Sequence, residues 1–249
     1  MAKTIGVVSI KGGVGKTTTA ANVGAALAEF GKKVLIVDAD FSAPSLGMHF
    51  GLVQPEKTLH HVFQGKIPAH EAVHNCAENL DIIPCSLMSE KINPYMLRDK
   101  LKHLKSMYDY ILIDAAPTLN DDMLATIMAS DELLVITSPD YPTLSATLHA
   151  VKVAQKENKP IAGLVLNRVR GKKFELTEAE IVETSGISVL GTVMDDLSVP
   201  QGISETTPAM HYKPRSKASK SFRNIACSLA GIEQDDGMLS RLKSWFSSR

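Results

Sequence analysis

Short apolar runs recur along the chain at Thr4–Ile10, Val34–Val37, Leu80–Pro84, Tyr110–Ile113, Leu133–Thr137, Ile161–Leu166 and Val189–Val193. Most are continuous rather than alternating, the pattern of strands covered on both faces in a parallel sheet. Segments of helical spacing lie between them. Lys16–Phe30 is rich in Ala and stops at Gly31, a fitting C-cap. Asn93–Met107 sets Met96, Leu97, Leu101 and Leu104 at helical intervals, and Thr143–Glu157 and Ser216–Ala230 predict two longer helices. Thr177–Thr184 opens as a capping box, Thr177 with Glu180. The β–α alternation predicts right-handed crossovers and an α/β fold. We expect a single domain built on a mostly parallel, doubly wound sheet with helices on both faces. No internal repeat and no Pro/Gly/Ser linker interrupts the pattern before about residue 231.

Composition narrows the picture by exclusion. A hydrophobic fraction of 44% and a charged fraction of 22% suit a soluble globular chain. Lys plus Arg and Asp plus Glu each total 27. Attraction to nucleic acid or acidic lipid must therefore come from a local patch. Cys76, Cys85 and Cys227 lack metal-ligand or CxxC spacing and read as reduced thiols of a cytosolic protein. The N-terminus enters a strand with no basic region ahead of a cleavable apolar one, and no apolar run nears the roughly 18 residues that span a bilayer. The expectation is a cytoplasmic protein, or one attached to a membrane from the cytoplasmic side.

The chemistry is concentrated where the first strand meets the first helix. Lys11-Gly12-Gly13-Val14-Gly15-Lys16-Thr17-Thr18 ends as a P-loop does, in Gly-Lys-Thr, although Ile10 stands where the usual first glycine would fall. Glycines at 12, 13 and 15 let backbone N–H groups turn inward around phosphate oxygens. The helix N-terminus adds fractional positive charge. In this register Lys16 reaches the β- and γ-phosphates and the Thr17 hydroxyl ligates Mg²⁺.

This loop resembles the deviant Walker A box of the MinD/ParA superfamily of P-loop ATPases, which also includes nitrogenase iron protein and Mrp-like carriers. The resemblance covers about residues 3–230. It implies an ATPase with ATP and Mg²⁺ as cofactors, and an ATP-dependent homodimer in which Lys11 crosses to the partner's nucleotide. It also implies slow hydrolysis without an activator. The Asp38-Ala39-Asp40 pair matches the family's Asp-x-Asp. Asp38 would then face the water shell of Mg²⁺, and Asp40 would orient the attacking water, as a catalytic residue beside Lys11 and Lys16. Ser42-Ala43-Pro44-Ser45-Leu46 follows as the first switch. Tyr110–Asp114 is a Walker B strand whose Asp114 sits near the metal through water.

The second switch, Asp114-Ala115-Ala116-Pro117-Thr118, departs from the family at Ala116 and Thr118, where proline and then glycine or serine are common. Pro117 keeps the ParA-like form. Asn167, closing Leu164–Asn167, matches the reader of the adenine edge, and Met194-Asp195-Asp196 the loop that flanks the base. MinD-type relatives carry an aspartate early in the helix after the fifth strand. Thr143–Thr147 has none, so no partner site is transferred there.

The C-terminus narrows the resemblance to MinD-like members. We divide the chain into an ATPase domain over 1–231, a polar linker over 232–237 and an amphipathic helix over 238–249. Met238, Leu239, Leu242, Trp245 and Phe246 fall on one helical stripe, with Arg241 and Lys243 off it. A helix of about 12 residues is marginal alone in water and needs a surface. An anionic membrane fits, with the aromatic pair at headgroup depth and the cations above. A partner protein or the chain's own domain is the alternative. The implied role is a spatial regulator, such as one placing a division site, with an unidentified activator and effector protein. Two rivals stand beside it. Lys213–Lys220 with Arg223 would suit a partitioning ATPase that holds DNA non-specifically. A metal-cluster carrier would need paired cysteines that the chain lacks.

Overall fold

The computed structural model describes residues 1–86 and 92–232. The tail residues Met238, Leu239, Arg241, Lys243, Leu242, Trp245 and Phe246 lie outside them, as does most of the linker. Among the described residues eight strands form one sheet: β1 (Lys3–Val8), β2 (Val34–Ala39), β3 (His74–Ala77), β4 (Leu80–Ile83), β5 (Tyr110–Ala115), β6 (Glu132–Thr137), β7 (Ile161–Val169) and β8 (Val189–Met194). Their order is β3-β4-β2-β5-β1-β6-β7-β8. All neighbours are parallel except β3, an antiparallel edge strand on β4. The helices are α1 (Lys16–Glu29), α2 (Leu59–Phe63), α3 (Leu97–Leu101), α4 (Asp121–Ala129), α5 (Tyr141–Lys156), α6 (Glu178–Ser185), α7 (Ser198–Ser204), α8 (Ala209–Tyr212) and α9 (Lys217–Ala230).

Alternate strand residues go to opposite faces, which explains why the runs are apolar throughout. Val34 and Ile36 of β2 join Leu112, Ile136 and Val165 under α1 and α9. Leu35 and Val37 instead meet Ile111, Ile113 and the α3 residues Leu97 and Leu101. Val135 and Leu164 lie under α4, α5 and α6, against Ile127, Ala154 and Ile181. Helix α1 can lie close to the sheet because Gly24 has no side chain. A Cβ there would come within 2.6 Å of Ile36 Cδ1.

The predicted caps form: Gly31 takes positive φ just past α1, and Thr177 and Glu180 exchange both capping-box bonds; Gly231 likewise takes positive φ just past α9. Strands β2, β5 and β7 run two or three residues past their expected ends, and three other elements differ from expectation for a local reason. The first strand stops at Val8 rather than Ile10, because the loop must turn at once toward α1. The stretch 93–107 is no continuous helix: 3₁₀ turns at Pro94–Met96 and Lys102–Ser106 flank the short α3. Its apolar stripe reports burial of Leu97, Leu101 and Leu104, which such a broken turn satisfies equally well. Helix α5 begins at Tyr141, two residues early, because the side chain of Asp140 caps it. Among the described residues no helix is long and apolar enough to cross a membrane.

Candidate active site

Three strands converge on one spot. β5 pairs with both β1 and β2, in a register that sets Asp114 against Val7 on one side and Asp38 on the other. Neighbouring strands are about 4.8 Å apart. Two carboxylates therefore end adjacent strands beside the loop that leaves β1, at the C-terminal edge where α/β sheets place their ligands.

The loop has the backbone that its glycines permit. Gly13 takes φ 74° and Gly15 φ 96°, in the region that a side chain disfavours. A Cβ on Gly15 would also collide with Asn167 Nδ2. That amide donates to the Val14 carbonyl at 2.7 Å, and Asn167 is only 6% exposed. Asn167 reaches the loop because β7 slips register against β8 between Leu166 and Val169, where Arg168 adopts φ 58°. Lys16 and Thr17 open α1, which buries Lys16 to 6% exposure. Burial pushes the Lys16 ammonium below its ordinary value, against the opposing pull of Asp114 and Asp40.

The carboxylates divide into distinct surroundings. Asp38 is wholly buried, and its oxygens accept N–H groups from Asp40 at 3.2 Å, Ser45 at 3.1 Å and Leu46 at 3.0 Å. Burial still outweighs those bonds and pushes its carboxyl up to about 7, with the charge of Asp40 adding to the rise. Asp114 rises to about 8 through burial and the nearby Asp38, opposed by the Thr17 hydroxyl and Lys16. Asp40 is more open, and its Oδ1 accepts from the Ser42 hydroxyl and the Ser42 and Ala43 N–H groups.

Such a cluster calls for a cation. Among the described residues Asp114 Oδ1 is buried without a hydrogen-bond partner, an acceptor free to meet a ligand. The donors around it are carboxylate and hydroxyl oxygens, which suit a hard divalent ion. Among the described residues no three His, Cys, Asp or Glu side chains form a metal cluster of their own. A Mg²⁺-sized ion here would complete its shell with ligand phosphates and water.

The two lysines of the loop point to different places. The Lys11 ammonium donates to Thr143 Oγ1 at 2.6 Å and pairs with Asp140 Oδ1 at 3.2 Å. Burial raises the Asp140 carboxyl, but bonds from Ser138, Thr143 and Lys11 outweigh it and hold it down to about 2. Lys11, Gly12, Gly13, Asp140, Arg168 and Phe174 border an open cavity of about 470 Å³ on this side of the loop. Asp140 and Ser138 were not singled out by sequence, and Ser45 only as a member of the first switch. The signal for Asp140 is Asp-x-x-Thr with a proline between, an N-cap three residues ahead of Thr143.

A family model described as an AAA domain matches residues 2–162. The septum site-determining protein MinD of Bacillus subtilis is 31% identical over 271 residues, covering 100% of both chains. The chain belongs to the MinD/ParA family of P-loop ATPases. Its MinD-like character is carried by that relative and by two solved structures. Pyrococcus furiosus cell division ATPase MinD superposes with a TM-score of 0.89 at 32% identity, covering 94% of this chain and 100% of that one. MinD from Pyrococcus horikoshii, complexed with Mg-ADP, gives 0.88 at 33%, covering 93% and 98%. The cofactors of this MinD-like ATPase are ATP and Mg²⁺. Mg²⁺ would supply charge neutralisation for the phosphates. The chain's own residues that would hold the phosphates are the N–H groups of 12–18, the Lys16 ammonium and the Thr17 hydroxyl.

Proposed function

We propose that this chain is an ATP-timed switch: it dimerises on ATP, rests on an anionic membrane through residues 238–249, and places a cellular structure such as a division site. One observation carries the dimerisation reading. Lys16 is buried at the start of α1, whereas Lys11, from the same loop, is turned outward onto Asp140 and Thr143 with 40% of its side chain exposed. A cation held at the rim is placed to meet a phosphate brought by another molecule, as an arginine finger does. In this reading Lys11 completes the partner's site, Asp40 orients water, Asp38 and Asp114 serve the metal side, and Asn167 reads the base edge. Hydrolysis is slow until a protein activator binds, because timing an assembly requires a lasting ATP state.

The membrane part rests on the tail pattern at Met238, Leu239, Leu242, Trp245 and Phe246 and on avidity. One short helix binds weakly, but two on one dimer act at millimolar effective concentration. Co-sedimentation with anionic liposomes tests it. Wild type should bind in ATP, Lys11→Ala should not, and a chain ending at residue 237 should lose binding while still dimerising. Retained binding by the truncated chain would exclude the tail as anchor. The DNA-partitioning reading is weaker, because part of its basic segment is already committed. Arg223 pairs with Glu29 at 2.8 Å, and Lys213 donates to Gln201. Steeply salt-dependent, ATP-dependent binding to duplex DNA would restore it.

A further inference from the structure

We propose that Ser45, in the loop after β2, is the positioning residue through which Mg²⁺ is sensed by that loop. The proposal rests on the reading that the site takes a Mg²⁺–nucleotide. Ser45 stands at the N-cap of the 3₁₀ turn Leu46–Phe50, with φ −140° and ψ −11°. A serine there ordinarily accepts an N–H from the turn it opens. Ser45 makes no such bond. Its hydroxyl instead lies 3.3 Å from Thr17 Oγ1.

That distance has a meaning at a magnesium site. Octahedral oxygen ligands at about 2.1 Å stand about 3.0 Å apart when cis to each other. Two hydroxyls 3.3 Å apart are thus within a few tenths of an ångström of a shared shell, or of one ligand and its hydrogen-bonded neighbour. The position is also fixed beforehand. The Ser45 N–H is held by Asp38 Oδ2, which holds the next N–H as well, and Leu46 is fully buried in the core beneath α1. Asp38 also accepts on Oδ1 from the Asp40 N–H. Asp38, while facing the metal side, thus also fastens the loop to β2, and Ser45 presents a hydroxyl oxygen of its own. The same loop segment bears Asp40, so an ion that engages Ser45 also sets the residue proposed to orient water.

Ser45→Ala tests this without disturbing the backbone bonds to Asp38, and Ser45→Thr restores a hydroxyl. Full-length protein is titrated with a fluorescent ADP analogue in EDTA, and then with MgCl₂ at fixed analogue. Ser45→Ala should raise the Mg²⁺ midpoint about 10-fold, the scale of one lost charge-assisted contact. Its affinity in EDTA should match wild type, and Ser45→Thr should recover most of the loss. A midpoint within twofold of wild type would overturn the proposal. So would equal weakening with and without Mg²⁺, which marks a loop defect. If wild type itself shows no tightening with Mg²⁺, the Mg²⁺–nucleotide reading fails and takes this proposal with it.

Discussion

Gly15→Ala would probe the union of loop and β7 directly. Gly15 holds φ 96°, where a side chain costs about 1–2 kcal/mol. The new Cβ also has to displace the Asn167 amide, which strips the Val14 carbonyl of its donor. A buried polar group left unpaired costs about 1–3 kcal/mol. The two effects together destabilise by about 2–5 kcal/mol, and in a domain of this size each kcal/mol lowers Tm by about 2–4 °C. Asn167→Ala alone should cost about 1–3 kcal/mol, from the same unpaired carbonyl. The cycle is therefore non-additive: the double variant should be no less stable than Gly15→Ala, because the carbonyl loses its donor only once. Thermal unfolding of the four proteins without nucleotide measures this. A double variant whose loss equals the sum of the singles would refute the argument, as would Gly15→Ala within about 0.5 kcal/mol of wild type.

Other expectations follow from the same geometry. Asp38 and Asp114 hold protons in the folded state above their unfolded value of 3.8, up to about 7 and 8. Their contribution is favourable in acid and is lost as pH rises from about 4 through 8. A bound divalent cation reverses the sign by stabilising the ionised forms, so the Tm gain from Mg²⁺–ADP over ADP should grow from pH 6 to pH 8.5. A gain that does not change with pH would contradict the assignment. Asp140→Ala removes the α5 cap and should cost about 0.5–2 kcal/mol, whereas Asp140→Ser should recover most of it. Equal melting of the two variants would show that the cap is not the source. Gly24→Val would thrust a branched side chain at Ile36 Cδ1 and should cost at least about 1–3 kcal/mol, read by denaturant unfolding.

Most of the sheet was legible because parallel strands buried on both faces leave continuous apolar runs, as at Val34–Val37 and Tyr110–Ile113. β3 was not. His74–Ala77 is a four-residue edge strand of polar and small residues, half exposed, and nothing in its composition separates it from a loop. The short α2, α7 and α8 fall below the length at which a period can be read, and α4 was passed over although Asn120 caps it. In the site, Lys16 and Thr17 were legible from the spacing of the loop, and the strand-end aspartates from the resemblance to the family's Asp-x-Asp and Walker B patterns. The partners of those groups were not. Lys11 meets Asp140 across 129 residues, and Asn167 meets Val14 across 153. Only the strand order β1-β6-β7 brings them together, through a register slip at Arg168 that no local pattern announces.

Sedimentation velocity with ATP and Mg²⁺ tests the central claim most directly, using Asp40→Ala to prolong the ATP state. The account predicts that Asp40→Ala moves from the 26.9 kDa monomer to a species of twice that mass in ATP but not in ADP. Adding Lys11→Ala should return it to the monomer with nucleotide still bound. A nucleotide-bound Lys11→Ala/Asp40→Ala protein that dimerises as well as Asp40→Ala would contradict the account.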